Sequence, residues 1–252
     1  FIIGSDQVWR DSYGRVESYF CDFAGESDKK IFSYAASFGL DSWQFDRERT
    51  EVLRSLIRRF KAVSVREKDA VELCRDNLNI EADWVLDPTL LLSKEDYISL
   101  FKDVCKEKSE GNLMTYILDY TEEKQGLIDV VEKQKGLKSF SVMAKENEEF
   151  PAIEKWLRGF YDAKFVLTDS FHGMVFSIIF EKPFLVVLNK QRGSSRFLSL
   201  LSALGLEDRL IENIDGFNLN LLDKEIDYER LRKRLFALVD RSKEFLINCL
   251  EK

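Results

Sequence analysis

His172 is the only histidine of the 252-residue chain, and it lies in the stretch VLTDSFHGMVFSIIF, residues 166–180. An apolar run ends at Thr168 and Asp169, and Ser170 is a residue type that caps helices. His172 would therefore lie in the first turn of a helix, where the positive end of the helix dipole disfavours an imidazolium. We expect a ring that can accept a proton, as a general base does. The alternative is a histidine that only makes local hydrogen bonds.

A group of cations and hydroxyls occupies NKQRGSSRFLSLL, residues 189–201, directly after the apolar run PFLVVL. The group consists of Lys190, Arg192, Arg196, Ser194 and Ser195 around Gly193. It precedes a helical pattern, and the N–H groups of a helix start, together with cations, suit a phosphate or a carboxylate. The alternative is a flexible basic loop with a capping serine.

Arg66 lies in AVSVREKDA, residues 62–70, at the expected carboxyl end of a strand and just before a helix. Its planar guanidinium suits a carboxylate or a phosphate in a crevice beyond the strand. The alternative is an ion pair with Glu67 or Asp69 on the surface, and such exposed pairs are common.

Two other expected strand ends carry acidic or amide side chains. In FIIGSDQVW, Gly4 ends a strand, and Asp6, beside Gln7, could act as a base, orient a hydroxyl or cap a helix. In VLDPTLLL, Asp87 precedes Pro88, which favours extended geometry and therefore a structural turn.

The elements that must position these residues alternate along the chain. Short β-rich runs follow helical patterns, a rhythm typical of βαβ units and a mainly parallel sheet. We expect an α/β protein with two Rossmann-like parallel-sheet units that face a crevice. The expected helices cover about 46–60, 67–77, 122–135, 151–161, 170–180, 195–204 and 227–250, with no further strand after PFLVVL.

The polar segment KEKSEGN, residues 106–112, interrupts this rhythm. We therefore expect an N-terminal α/β unit over residues 1–108 and a C-terminal α/β unit with a helical tail over residues 109–252. Ligands of such proteins bind beyond the carboxyl ends of the strands, which is where the candidate residues fall.

Composition excludes several classes of protein. The net charge of −7 and the pI near 5.1 argue against a nucleic-acid-binding surface. The four cysteines form no CxxC pair, which argues against a zinc site and a disulfide scaffold, so we expect no metal. No apolar stretch approaches the ~18 residues of a membrane span. We expect a cytoplasmic protein, which could reach the inner face of a membrane through its substrate or partners.

Five motifs in one order carry a resemblance to a known family. FIIGSDQVW, AVSVREKDA, WVLDPTLLL, VLTDSFHGMVFSIIFEKPF and RGSSRFLSLLSALGLEDRL together resemble the polysaccharide pyruvyl transferase family over nearly the whole chain. Similar chains usually begin with an extra N-terminal segment bearing an Asn-Tyr-Gly-like motif. Because this chain opens on Phe1 inside an apolar run, we expect it to lack an N-terminal portion.

The resemblance implies an enzyme of the GT-B architecture that moves a pyruvyl group from phosphoenolpyruvate to sugar hydroxyls, as a ketal. The acceptor would be a bacterial surface polysaccharide or its precursor, such as a lipid-linked oligosaccharide. Phosphoenolpyruvate would be a co-substrate, and no cofactor is expected. His172 matches the family's histidine and Arg66 an arginine associated with the donor.

The remaining roles are hypotheses within that chemistry. We expect His172 and Asp6 to be the catalytic residues, with Asp6 orienting the acceptor sugar, and expect Gln7, Asp169 and Phe171 to bind or orient the acceptor. The expected donor-binding residues are Arg66, Ser170, Arg192, Ser194, Ser195 and Arg196.

One position departs from the family pattern. Many members have an arginine two positions before the histidine, where this chain has Ser170. The loss should weaken donor binding by about 1.5–3 kcal/mol unless Arg192 or Arg196 replaces that cation. Two alternatives follow: a glycosyltransferase of the same architecture that uses a nucleotide sugar, and an inactive homologue that binds a sugar or a phosphate.

Overall fold

The protein is an α/β protein with parallel sheets, and the computed structural model describes residues 1–25, 29–144, 149–189 and 192–251. Within these ranges there are nine strands and eight α-helices. The strands are β1 (Ile2–Ile3), β2 (Phe32–Ser33), β3 (Ser64–Val65), β4 (Asp83–Trp84), β5 (Leu113–Tyr116), β6 (Ser139–Phe140), β7 (Phe165–Thr168), β8 (Phe184–Val187) and β9 (Leu210–Ile211). The helices are α1 (Arg47–Ile57), α2 (Lys68–Leu73), α3 (Lys94–Phe101), α4 (Glu122–Lys135), α5 (Ile153–Asp162), α6 (Phe171–Ile179), α7 (Ser195–Leu204) and α8 (Tyr228–Glu251).

The chain forms two compact units, and neither is one continuous segment. Unit 1 comprises residues 1–91, 190–204 and 232–252, and unit 2 comprises residues 92–189 and 205–231. We expected a single division between residues 108 and 109. The contacts instead divide the chain after Leu91 and give α7 to unit 1 together with most of α8.

Unit 1 is built on four short parallel strands. β1 pairs with β2 and β3 pairs with β4, and isolated bridges from Phe32 to Ala62 and from Ala36 to Val65 join the two pairs. Aromatic and aliphatic side chains bury the helix side of these strands, with Trp9, Phe20 and Phe38 at the centre. Polar residues that directly follow each strand therefore lie at one edge of the unit.

Unit 2 contains a five-stranded parallel sheet in the order β6-β5-β7-β8-β9. Every residue of β7 and β8 is buried, which explains why FVLT and FLVV are apolar runs without alternation. The chain order reverses between β5 and β7, since β6 lies on one side of β5 and β7 on the other. This reversal is the topological switch point of a doubly wound sheet.

Several predicted elements agree closely with the structure. α4 spans the predicted residues 122–135, because Thr121 caps its start and Gly136, with a φ of 60°, ends it. The helix predicted over 67–77 is shorter, since α2 ends at Leu73 and continues as a π-helical turn over Cys74–Leu78.

Two predictions about elements need correction. The expectation of no strand after PFLVVL was wrong, because β9 pairs in parallel with β8 at the edge of the sheet of unit 2. The sequence analysis also missed α3, whose start carries a capping box between Ser93 and Asp96.

No helix in the described part of the chain is long and apolar enough to cross a membrane.

Candidate active site

His172 lies at the switch point of unit 2, two residues into α6. β7 ends at Thr168 and α6 begins at Phe171, so the histidine follows the strand at which the order reverses. Of the nine residues of α6, every one is buried except His172, which is half-buried. The helix is therefore fixed in the core on all sides but leaves this side chain within reach of a ligand.

Close packing of α6 on β7 fixes the position of His172. A Cβ at Gly173 would lie 2.2 Å from Thr168 Oγ1, so only glycine permits this approach. Thr168 Oγ1 in turn donates to the Tyr116 carbonyl at 2.6 Å and accepts from the Ser170 backbone N–H at 3.0 Å. The end of β5, the end of β7 and the start of α6 are thus tied together.

Ser170 is the N-cap of α6, as its residue type predicts. Its hydroxyl accepts from the Gly173 N–H at 3.3 Å and the residue is only 4% exposed. Phe171 is equally buried, and its ring lies 5.5 Å from the His172 ring, centroid to centroid. The capping bond occupies the Ser170 hydroxyl, and the donor-binding role of Ser170 stays a prediction, as does the acceptor role of Phe171.

Asp169 is a fully buried carboxylate that organises the loop after β5. Its oxygens accept from the Leu118 N–H at 2.6 Å, the Asp119 N–H at 3.2 Å and Lys124 Nζ at 2.7 Å. Lys124 also donates to the Asp119 carbonyl at 2.6 Å. With these three donors in place, Asp169 is suited to orient the switch-point loops rather than to contact an acceptor directly.

In unit 1, Arg66 follows β3 and is almost completely buried. Its guanidinium donates to Asp87 Oδ2 at 2.8 Å and to Asp6 Oδ1 at 3.2 Å. Burial would lower the pKa of Arg66, but the carboxylates of Glu67, Asp87 and Asp6 outweigh that effect and raise it. Of the alternative considered for Arg66, the pair with Glu67 forms, at 3.6 Å, but it is buried and not on the surface. Asp87, predicted as a turn residue, is also an ion-pair partner of Arg66.

Asp6 and Gln7 differ in accessibility. The Asp6 side chain is 75% exposed, so it can reach solvent while it pairs with Arg66. Gln7 is buried, and its Oε1 accepts from Arg10 Nη1 at 2.7 Å. The structure thus leaves Asp6 available for a substrate and gives Gln7 a packing role against Arg10, while their predicted roles stay predictions.

Arg196 lies in the first turn of α7 and is a second buried cation near Arg66. It is 7% exposed. Burial, and then the positive charge of Arg66, lower its pKa to about 10, although Glu67 and Asp6 act in the opposite direction. The guanidinium is therefore still charged at neutral pH, and two buried cations share one edge of unit 1.

The loop before α7 is held against the turn that follows β2. Gly193 has a φ of 84°, and a Cβ there would lie 1.9 Å from the Gly39 carbonyl oxygen. The Ser194 carbonyl accepts from the Leu198 N–H at 3.1 Å, so α7 starts as predicted. Arg192 is half-buried beside this loop, and Lys190 lies outside the described residues.

A comparison with protein families matches residues 1–191 to the family described as polysaccharide pyruvyl transferase. The chain belongs to this family. It is therefore a transferase enzyme, and the resemblance seen in its motifs is confirmed. A search among curated proteins found no match.

The matched range of this pyruvyl transferase contains some of the candidate residues and omits others. Asp6, Arg66 and His172 lie inside residues 1–191. The described members of the cationic group, Arg192, Ser194, Ser195 and Arg196, lie beyond it. The assignment of Arg196 therefore rests on this chain's own geometry, namely its burial near Arg66.

Glu67 was considered only as a surface ion-pair partner of Arg66, and Ser37 was not predicted as part of this edge. The Glu67 side chain is 4% exposed, its Oε1 accepts from Ser37 Oγ, and it lies 3.6 Å from Arg66 Nε. A signal was present in the sequence, because glutamate is a poor N-cap and Glu67 occupies that position of α2 without a capping bond. A residue that breaks a local preference often serves a site.

Within the described ranges, no group of three or more histidine, cysteine or acidic side chains is placed to hold a metal ion. The two units carry different kinds of functional group. Unit 1 has buried cations beside helix starts, which suit an anion. Unit 2 has a fixed, half-buried imidazole, which suits proton transfer.

Proposed function

We propose that the enzyme transfers the pyruvyl group of phosphoenolpyruvate to two hydroxyls of a sugar and forms a ketal. The sugar would belong to a bacterial surface polysaccharide or to its precursor, including a lipid-linked one. Protonation of C3 makes C2 of the enol phosphate electrophilic, and one hydroxyl attacks C2. The second hydroxyl then displaces phosphate. One hydroxyl proton balances the proton gained at C3, and the other leaves with the phosphate.

The observation that carries the proposal is the burial of Arg196 near Arg66. Arg66 has Glu67, Asp87 and Asp6 as ion-pair partners, and Arg196 adds a second guanidinium to the same edge. Burial, and then the charge of Arg66, lower the pKa of Arg196, against the opposing charges of Glu67 and Asp6. A buried guanidinium suits a phosphate or a carboxylate, and phosphoenolpyruvate carries both groups.

The carboxylate and phosphate oxygens of the donor can also accept hydrogen bonds from backbone N–H groups. α7 begins at Ser195, within the same segment as Arg196, and a helix start presents backbone N–H groups to a ligand. Helix starts favour anions through their dipole as well. We assign the donor to this edge of unit 1 and give Arg196 the role of a donor-binding cation.

His172 is proposed as the group that moves protons. It can remove the proton of an attacking hydroxyl and return a proton to carbon or to the leaving phosphate. Asp6, which is exposed and follows β1, would orient the acceptor hydroxyls in unit 1. We also propose the GT-B architecture, in which two units face a crevice. We propose in addition that the enzyme acts in the cytoplasm on a membrane-linked acceptor.

The proposal is tested by turnover. The full chain is incubated with phosphoenolpyruvate and a panel of bacterial oligosaccharide precursors in D₂O, and phosphate release is followed together with the proton spectrum of the sugar product. We expect acceptor-dependent phosphate release and a ketal methyl group that carries one deuterium. Arg75→Ala, which removes an exposed arginine of unit 1, is the matched control and should leave turnover unchanged.

If phosphate is not released with any acceptor, and a sugar is instead transferred from a nucleotide sugar, the donor assignment is wrong and the glycosyltransferase alternative replaces it.

A further inference from the structure

Glu67 occupies an unusual position for an acidic side chain. It is the N-cap residue of α2, yet its carboxyl group forms no capping bond and points instead into the edge that holds Arg66 and Arg196. One carboxyl oxygen, Oε1, accepts from Ser37 Oγ. The other, Oε2, is buried and has no hydrogen-bond partner among the described residues.

Ser195, in the same unit, also carries a buried polar atom. It is 3% exposed, and its hydroxyl is buried without a hydrogen-bond partner among the residues that the structure describes. It directly precedes Arg196, whose charge interacts with that of Glu67. The Lys68 N–H, next to Glu67, donates to Ser199 Oγ at 3.0 Å and so joins the start of α2 to α7. Among the described residues, a carboxyl oxygen of Glu67, whose charge interacts with Arg196, and the hydroxyl of the residue before Arg196 are thus both buried and unsatisfied in unit 1.

Buried polar atoms of this kind are rare, and a catalytic role or a bound ion is among the reasons for which proteins keep them. An anion that binds at Arg196 could accept from Ser195 Oγ. It could accept from Glu67 only if the carboxyl group carries a proton, because an ionised carboxylate offers acceptors alone and repels the anion. Enzymes do keep buried carboxyl groups neutral for such hydrogen bonds.

The surroundings of Glu67 favour this protonated form. Burial is the largest effect and raises the pKa of Glu67, against the opposing effects of Arg66, the Ser37 hydroxyl and Arg196. Asp87 and Asp6 already neutralise Arg66, and Asp6 and Tyr13 also interact electrostatically with Arg196. On α2 itself, the Cys74 thiol is uncharged, because burial and Glu67 raise its pKa to about 12.

We propose that Glu67 is a further donor-binding residue, which holds a proton in the complex and donates it as a hydrogen bond to the anion beside Ser195 and Arg196. Phosphoenolpyruvate would then bind together with one proton. This inference rests on the proposed function and adds a residue and a pH dependence that the pyruvyl transfer chemistry does not require.

The sign of the effect follows from linkage. An anion beside Glu67 favours the protonated carboxyl, so the bound enzyme retains a proton at a pH where the free enzyme has lost it. Affinity for phosphoenolpyruvate should be constant at low pH and fall as the pH rises through the range in which free Glu67 ionises. The decrease should approach tenfold per pH unit, as expected for one linked proton.

The experiment is a calorimetric titration of the full chain with phosphoenolpyruvate between pH 6 and pH 9. Each pH is measured in two buffers that differ in ionisation enthalpy, so that the number of protons taken up is obtained. Glu67→Gln keeps a neutral donor and the Ser37 contact, and it should bind phosphoenolpyruvate with nearly pH-independent affinity and about one proton less uptake. Glu72→Gln, which removes an exposed charge from the same helix, should behave like the wild type.

The outcomes separate the two proposals. No binding of phosphoenolpyruvate to the wild type at any pH overturns the proposed function itself. Binding with the same proton uptake in wild type and Glu67→Gln overturns only the role of Glu67. Glu67→Ala, which lacks any donor at this position, should bind more weakly than Glu67→Gln at every pH, and equal affinities would also contradict the inference.

Discussion

At the scale of single residues, His172 stands out because it is the one accessible side chain of a helix that is otherwise buried. The sequence predicted this position from a strand end, a capping serine and a helical pattern, and all three features are local. What local features do not predict is the switch point, because it depends on β6 and β7 pairing with opposite edges of β5.

Replacement of His172 by glutamine should lower turnover about 10²- to 10⁴-fold, the usual contribution of a general acid–base. Because the side chain is half-buried and lies at the helix surface, the midpoint of thermal unfolding should hardly change. Phosphate release from phosphoenolpyruvate and thermal unfolding, measured on the same preparation, check both statements. Turnover equal to that of the wild type would remove the proton-transfer role.

Asp169→Asn should destabilise the fold by about 3 kcal/mol, because it leaves the Lys124 ammonium buried without its carboxylate. The matched control is Asp223→Asn, which breaks an aspartate–lysine pair whose carboxylate is 83% exposed and should cost less than about 1 kcal/mol. Denaturant unfolding measures both. Equal small losses would show that Asp169 does not hold the switch-point loops.

Arg66 shows the limit of reasoning from neighbouring residues. Its nearest acidic neighbours in sequence predicted a surface pair, whereas its hydrogen-bonded carboxylates belong to Asp87 and Asp6, each after a different strand. Those partners are brought together only by the order of the strands in unit 1. The same holds for Glu67 and Ser37, which lie 30 residues apart.

At the scale of elements, prediction succeeded where both ends of an element carried signals. α4 has a capping threonine and a terminal glycine, and α6 has a capping serine and a continuous apolar face. β9 could not be predicted from its two residues, because the neighbouring β8 supplies the pairing that defines it. α3 was not predicted, although the sequence contains the Ser93 and Asp96 pair that forms its capping box.

The packing of α6 on β7 leads to a prediction about glycines. Gly173→Ala should destabilise the protein by about 1–3 kcal/mol, since the new methyl group would overlap Thr168 Oγ1 and push the first turn of α6 away. Gly126→Ala, in the exposed middle of α4 with nothing within 4 Å, should stabilise it by about 0.5–1 kcal/mol. Chemical denaturation distinguishes the two, and a stabilised Gly173→Ala would mean that the contact is not tight.

At the scale of the whole molecule, the chain returns to unit 1 twice after it has entered unit 2. Local sequence patterns do not show that a later segment packs on an earlier unit. The predicted division near residue 108 is therefore simpler than the observed one. The returning segments complete the core of unit 1: the Ser242 hydroxyl accepts from the Leu86 N–H at 3.0 Å, and Phe245 packs near Tyr34.

A truncated chain that ends at residue 191, where the family match ends, should therefore lose the cooperative unfolding of unit 1. It would lack α7 and α8, and the apolar surface beneath them would be exposed. Hydrogen exchange of the truncated and full chains, compared over residues 31–38 and 83–87, tests this expectation. Equal protection in both chains would show that unit 1 does not depend on its C-terminal segments.

The most direct test of the account is calorimetric titration of the full chain with phosphoenolpyruvate beside a panel of nucleotide sugars, repeated on Arg196→Ala and on the surface control Arg75→Ala. We expect phosphoenolpyruvate to bind the wild type and the control alike, and to bind Arg196→Ala about 10- to 100-fold more weakly, because a charge-assisted contact is lost. Binding of a nucleotide sugar in place of phosphoenolpyruvate, or phosphoenolpyruvate binding that Arg196→Ala leaves intact, would contradict it.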